Sequence, residues 1–110
     1  MLTILEKLNK FESQEFGFMG SSDFREFILR EISENCIWTK KEVLVEDRGD
    51  GRKGRIDLIV NEAGYSQIAI ELDRKTPRKK SIFKLKKYNA PRSWIIMRSP
   101  FRILEVKPYD

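Results

Sequence analysis

The sequence predicts an α/β domain in which a small mixed β-sheet is flanked by helices. Three observations carry that reading. Two segments with apolar residues at helical spacing come first, three runs rich in β-forming residues follow, and a basic helical segment then separates the third run from two further ones. The order is helix, helix, three strands, helix, two strands, and the third helix is placed to act as a crossover between parallel strands.

Leu2, Leu5, Leu8 and Phe11, with Ile4 beside them, recur at helical spacing and predict an amphipathic helix from residue 2 to about 14. GFMGSS breaks it. Asp23 with Glu26 three residues on has the form of a capping box, and Phe24, Phe27, Ile28, Ile32 and Cys36 make the apolar stripe of a second helix running to about Asn35. Ile37 to Glu46 reads as a strand, and the glycines and aspartates of DRGDGRKG read as a turn. Strands follow at 55 to 61 and 66 to 73 around the turn NEAG. Thr76 and Pro77 suit the N-cap and first position of a helix reaching about Tyr88, and SWIIMRS and FRILEV are the last strands. With 110 residues and no repeat or internal linker, this is one domain, with a helix and connection at 1–20 and a core at 21–110.

Composition narrows the chemistry. Histidine is absent, which removes Ser-His and Cys-His nucleophiles and histidine-bound metals. The one cysteine, Cys36, can form neither an intrachain disulfide nor a zinc cluster. No apolar run approaches the roughly 20 residues that span a bilayer, and MLTILEKLNK lacks the apolar core of a signal peptide, so a cytoplasmic protein with no membrane partner is expected. Catalysis, if present, rests on carboxylates, lysines and a metal.

Charge is uneven along the chain. The net balance is −4 over residues 1–50 and +9 over 51–110, and between Arg74 and Leu104 there are eleven Lys or Arg and no acid. Such a one-sign surface favours a polyanion, and nucleic acid is the expected partner. On the helix from 77 to 88, Ile82, Leu85 and Tyr88 form the packing stripe, while Lys80, Lys84 and Lys87 line another face suited to phosphates. With Arg74, Arg78 and Lys79 near the helix N-terminus, they are the candidate nucleic-acid contacts. Nothing here resembles base-edge reading, so backbone or shape recognition is expected. Trp38 and Trp94 are read as core.

Two apolar strand runs carry acids where packing prefers none. Asp57 interrupts GRIDLIV, and Glu71 and Asp73 fall in IAIELD. Strand alternation puts Ile68, Ile70 and Leu72 on one face and Ala69, Glu71, Asp73 and Lys75 on the other, successive members about 7 Å apart. If Asp57 on the neighbouring strand shares that face, carboxylates this close call for a cation. Mg²⁺, a hard ion bound by oxygen, satisfies them, and it can polarise a phosphodiester and acidify a bound water. Strand-end acids paired with Arg55 or Arg74 as ordinary ion pairs are the alternative. Glu31 is also out of place, in the apolar stripe of the second helix, where a lone charge needs compensation by a metal or by a salt bridge to a strand arginine.

Asp57 in GRIDLIV, a turn, Glu71 in IAIELD, a basic helix and a strand together resemble the PD-(D/E)XK nuclease superfamily, which includes restriction enzymes, Holliday-junction resolvases and repair or phage nucleases. The resemblance covers residues 22 to about 98. It implies a restriction-endonuclease-like core of order α-β-β-β-α-β and a DNA endonuclease dependent on Mg²⁺ (or Mn²⁺), acting on branched or junction DNA as a homodimer with no small-molecule cofactor. Asp57 and Glu71 would be the metal ligands, joined by Asp73, with Lys75 assisting and Glu31 as the extra carboxylate that some members draw from the first core helix. One position departs from the pattern. Asp73 stands where the family has lysine, two residues after the acidic ligand. Either Lys75 or a helix lysine takes over that role with Glu71 as ligand, or the motif shifts to Asp73-Arg74-Lys75. The departure also leaves two readings without cleavage, a DNA-binding module that has kept the fold and a basic protein-interaction domain.

Overall fold

The computed structural model describes residues 2–47 and 51–107. Three residues of the expected DRGDGRKG turn, Arg48, Gly49 and Asp50, lie outside them. The elements are α1 (Ile4–Asn9), α2 (Ser21–Ile32), a 3₁₀ turn (Ser33–Asn35), β1 (Cys36–Val45), β2 (Gly54–Glu62), β3 (Gln67–Asp73), α3 (Lys79–Tyr88), β4 (Arg92–Arg98) and β5 (Phe101–Glu105). The strands form one mixed sheet in the order β1-β2-β3-β4-β5, antiparallel except for the β3–β4 pair that flanks α3. The expected α/β class and element order are both present.

Alternation along β3 sends its side chains to two cores. Ile68, Ile70 and Leu72 join Leu58, Val60, Trp94 and Ile96 beneath α1 and α2, where Ile4, Leu8, Phe24, Ile28 and Ile32 close the layer. Phe11, Phe16, Phe24, Phe27 and Phe101 add a set of mutually contacting rings, with most centroids 5.0–6.1 Å apart. Such aromatic pairs add to what burial alone gives. Ala69, Ile59, Ile95 and Met97 face α3 and pack on Leu85. Trp94 lies in the first core and Trp38 packs against the second, as expected for core residues.

Three helix boundaries differ from those expected. The first helix begins with a capping box formed by Thr3 and Glu6 and ends at Asn9, because residues 10–13 turn back toward the sheet, where Ser13 N–H donates to Phe101 O at 2.9 Å. The second begins at Ser21 after Gly20, which supplies no side-chain cap; Asp23 lies inside its first turn, and Glu26 pairs with Lys41 at 2.9 Å. The third starts two residues past Pro77, at Lys79. Its end is tied by Asp73 of β3, whose Oδ2 accepts from Arg78 N–H at 2.9 Å and whose Oδ1 accepts from Ser81 Oγ at 3.1 Å. Asn89 closes α3 in the left-handed region (φ 57°), a conformation that asparagine tolerates.

Candidate functional site

The backbone ladder between β2 and β3 runs from Asn61↔Gln67 to Leu58↔Ile70 and stops there. The next residues are Asp57 and Glu71. Beyond the last rung their side chains take over the backbone donors: Glu71 Oε2 accepts from Asp57 N–H at 2.8 Å, and Asp57 Oδ2 accepts from Leu72 N–H at 2.8 Å. Ile56, two residues before Leu58, packs with the α3-side core, so the regular alternation of β2 also ends at Asp57. The two strands therefore open at this point, and two carboxylates hold the opening.

Lys84 on α3 enters the same opening. Its Nζ donates to Arg55 O at 2.8 Å and ion-pairs with Glu71 Oε1, and the residue is 7% exposed. Glu71 is fully buried. Burial first, and the neighbouring Asp57 charge second, push its carboxyl up to about 7 against the pull of Lys84. One ammonium thus stands against two carboxylates inside the opening.

Asp57 also lines a cavity of about 360 Å³ with Leu72, Asp73, Ser21, Ser22, Glu42 and the arginines Arg25, Arg74, Arg78 and Arg98. Here the N-terminus of α2, the end of β3, the start of α3 and the end of β4 converge.

The sequence-derived candidates divide in this frame. Asp57 and Glu71 are brought together as expected. Asp73 borders the cavity, but its oxygens serve Arg78 N–H, Arg78 Nε at 2.7 Å and the Ser81 hydroxyl, so it acts as a brace for α3. Lys75 does not lie on the strand face, because β3 ends at Asp73; it is exposed in the loop that follows. Glu31 pairs with Lys10 at 3.3 Å, and it sits six residues beyond cavity-lining Arg25, roughly 9 Å farther along α2. Glu31 is compensated by a salt bridge, but to Lys10 after α1 and not to the strand arginine expected. Among the basic candidates, Arg74, Arg78, Lys79, Lys80 and Lys87 are exposed, whereas Lys84 is withdrawn from the surface row. No group of three or more Asp, Glu, His or Cys arranged to hold a metal is found among the described residues.

On sequence alone Lys84 falls in the phosphate-facing row and the motif role is open to an unspecified helix lysine, although a signal for the buried position of Lys84 existed. Ser81, Lys84, Leu85 and Tyr88 are spaced i, i+3, i+4, i+7, which puts Lys84 on the buried stripe of α3. A charge there needs a partner for the same reason as Glu31 on α2.

No protein-family model matches the chain, and no curated protein matches it. The crystal structure of SSO0001 is similar to it at TM-score 0.54 and 20% sequence identity, over 81% of this chain and 52% of that protein. A likeness at this identity is one of fold, and the chain spans about half the length of that protein. Among the described residues no helix is long and apolar enough to cross a membrane.

Proposed function

We propose that the chain is a Mg²⁺-dependent DNA endonuclease whose site is the opened end of the β2–β3 pair. The observation that carries this reading is the meeting of Asp57 and Glu71 beyond the last rung of the ladder, with the Lys84 ammonium between Glu71 and Arg55 O. The donor set fits the ion. Mg²⁺ is commonly bound by one or two carboxylates, with water and substrate phosphate completing its shell, so two acids suffice where three are not assembled. Asp57, with Oδ2 fixed by Leu72 N–H, would offer Oδ1, and Glu71 would be the second donor. Asp73, engaged by Arg78 and Ser81, is left out of the set.

When bound, the ion supplies Lewis acidity toward a phosphodiester oxygen and an acidified water. The chain's own groups do the rest. Lys84 has three N–H donors; two are held by Arg55 O and Glu71, and the third can hydrogen-bond an attacking water or the charge growing on phosphate. Asp57 N–H, by bonding Glu71, keeps the second carboxylate turned into the opening. The water oxygen bonds to phosphorus as the opposite P–O ester bond breaks; one proton of the water passes to solvent, and the departing sugar oxygen takes a proton from solvent. Exposed Lys79, Lys80 and Lys87 on α3 would hold the backbone without reading bases. The body measures 38 × 32 × 25 Å, so its longest dimension spans roughly 11 base pairs at ~3.4 Å each, a modest footprint that a homodimer would double.

One observation favours a second reading. Lys84 already neutralises part of the acid pair, and the family's lysine place holds Asp73, which agrees with a DNA-binding module that does not cleave. Nicking of supercoiled plasmid separates the two. The nuclease nicks in Mg²⁺ or Mn²⁺, stops in EDTA and is lost in Asp57→Asn, whereas the module binds DNA equally in metal and in EDTA and nicks in neither.

A further inference from the structure

The cavity beside Asp57 has more cationic donors than the two carboxylates of the opening require. Two of its four arginines are matched by its own acids: Arg78 Nε donates to Asp73 at 2.7 Å, and Arg25 Nη1 lies 3.7 Å from Glu42. Arg98 spends its Nε on Met19 O at 3.0 Å, which leaves its terminal nitrogens. Arg74 is exposed, and its carbonyl accepts from Arg98 N–H at 3.2 Å and Ser99 N–H at 2.8 Å, so the segments bearing these two arginines are tied together. Among the described residues neither Arg74 nor Arg98 forms an ion pair with an acid of the cavity, although Glu15, outside the cavity, feels the Arg74 charge. Arg25 adds a further sign. Its Nε is buried without a hydrogen bond, 3.8 Å from Glu26, within ion-pair reach but beyond a hydrogen bond. A buried donor without a hydrogen bond leaves room for a further acceptor. Finally, α2 opens without a side-chain cap, and Ser21 and Ser22 of its first turn line the cavity with their hydroxyls near the positive end of the helix.

We propose that this cavity captures a terminal phosphate monoester of a nucleic-acid strand and thereby sets the first linkages from that end against Asp57. A monoester offers three peripheral oxygens and close to two negative charges near neutral pH, which matches donors arriving from several directions better than a diester does. Guanidinium forks suit that geometry where ammonium groups would not impose it. Phe18, 78% exposed and three residues before cavity-lining Ser21, is the exposed ring that a terminal base would stack on. Cutting near the captured end rests on the hydrolase reading above; capture itself does not.

The test is binding of the full chain, in EDTA, to otherwise identical labelled DNA duplexes ending in 5′-phosphate, 3′-phosphate or hydroxyl, followed by fluorescence anisotropy. One phosphorylated end should bind about tenfold or more tightly than hydroxyl, as expected for charge-assisted bidentate contacts. Arg74→Ala, at an exposed position, and Arg25→Lys, which keeps the charge and loses the fork, should each remove most of that preference. Arg25→Lys should leave hydroxyl-ended binding nearly unchanged, and Arg74→Ala, at a candidate backbone contact, should weaken it far less than it weakens binding of the phosphorylated end, with melting curves showing that both are folded. Millimolar inorganic phosphate should compete the preference away. Equal affinity for all ends overturns the proposal, as does a preference that survives both variants. Stabilisation by inorganic phosphate without any end preference overturns it too, assigning the cavity to the free ion. A preference for phosphorylated ends with no cleavage of any substrate supports capture and sinks the hydrolase reading alone.

Discussion

The β2–β3 pair has a buried glutamate at each end, and the two are used differently. At the turn end, Glu62 is 2% exposed; its Oε2 accepts from Ile4 N–H at 2.8 Å and its Oε1 faces Arg92 Nη2 at 3.0 Å. The Arg92 guanidinium is itself fixed by Ser66 Oγ and Ser66 O and lies near the Tyr65 and Trp94 rings. That acid meets a fixed cation and a helix N-terminus, away from the cavity that Asp57 lines. At the other end, Glu71 meets one lysine and, across an opened ladder, a second carboxylate, Asp57, which lines the cavity. Burial of an acid is therefore not what marks a site. The distinguishing feature is an unfinished charge balance where backbone pairing stops.

The largest expected effect breaks the turn end. Glu62→Ala leaves Arg92 half-buried without its acid and strips the Ile4 N–H of its acceptor, and should cost about 3–5 kcal/mol in urea unfolding. Cleavage per folded molecule should remain. The opposite pattern is expected for Lys84→Met, which keeps the bulk of the side chain. It should lower nicking by roughly 100- to 1,000-fold, as for other lost transition-state donors, while DNA binding persists.

Asp73→Lys sharpens the comparison further. Had the motif lysine simply been missing, this change would restore it. In the structure it removes the brace shared by Arg78 N–H, Arg78 Nε and Ser81 Oγ and sets an ammonium beside Arg78. A loss on the order of 3 kcal/mol in stability, with no gain in nicking, is expected from thermal and urea unfolding.

The pH dependence follows from Glu71. Its carboxyl is raised from 4.5 to about 7, so the folded state prefers the protonated form. The stability this group contributes is complete below about pH 4.5 and is lost as pH rises through about 7. In EDTA, wild type should therefore lose stability relative to Glu71→Gln across that window, by up to about 3 kcal/mol. Parallel curves for the two proteins would mean that Glu71 is not held in this way. The smallest effect is on the surface. Lys80→Ala with Lys87→Ala should flatten the slope of log affinity against log salt by up to about two units, and Lys84→Ala should add nothing, since Lys84 is buried.

Most of the sheet was legible because alternation along β2 and β3 sorts residues by face, and acids inside those runs identify Asp57 and Glu71 without any tertiary information. Their neighbours were harder to read. The row Lys80, Lys84, Lys87 reads as a solvated face unless the stripe through Ser81 and Leu85 is weighed against it. Thr76-Pro77 has the local form of a helix start, but Asp73 secures α3 from the preceding strand, outside any local capping rule. Glu31 was rightly flagged as needing a partner, and Lys10, on the chain just after α1, could be identified only once that helix was packed. The four arginines of the cavity span residues 25 to 98 and meet only through the packing of α2 and α3 on the sheet. Nothing in their spacing could join them.

The central claim is that the opened end of the strand pair is a cation site and the turn end is not. Calorimetric titration of Mn²⁺ into the metal-free protein tests it directly. Wild type and Glu62→Gln should bind the ion with closely similar affinity, and Asp57→Asn should show no comparable heat while remaining folded. Unchanged Mn²⁺ binding by Asp57→Asn, or binding lost only in Glu62→Gln, would contradict the account.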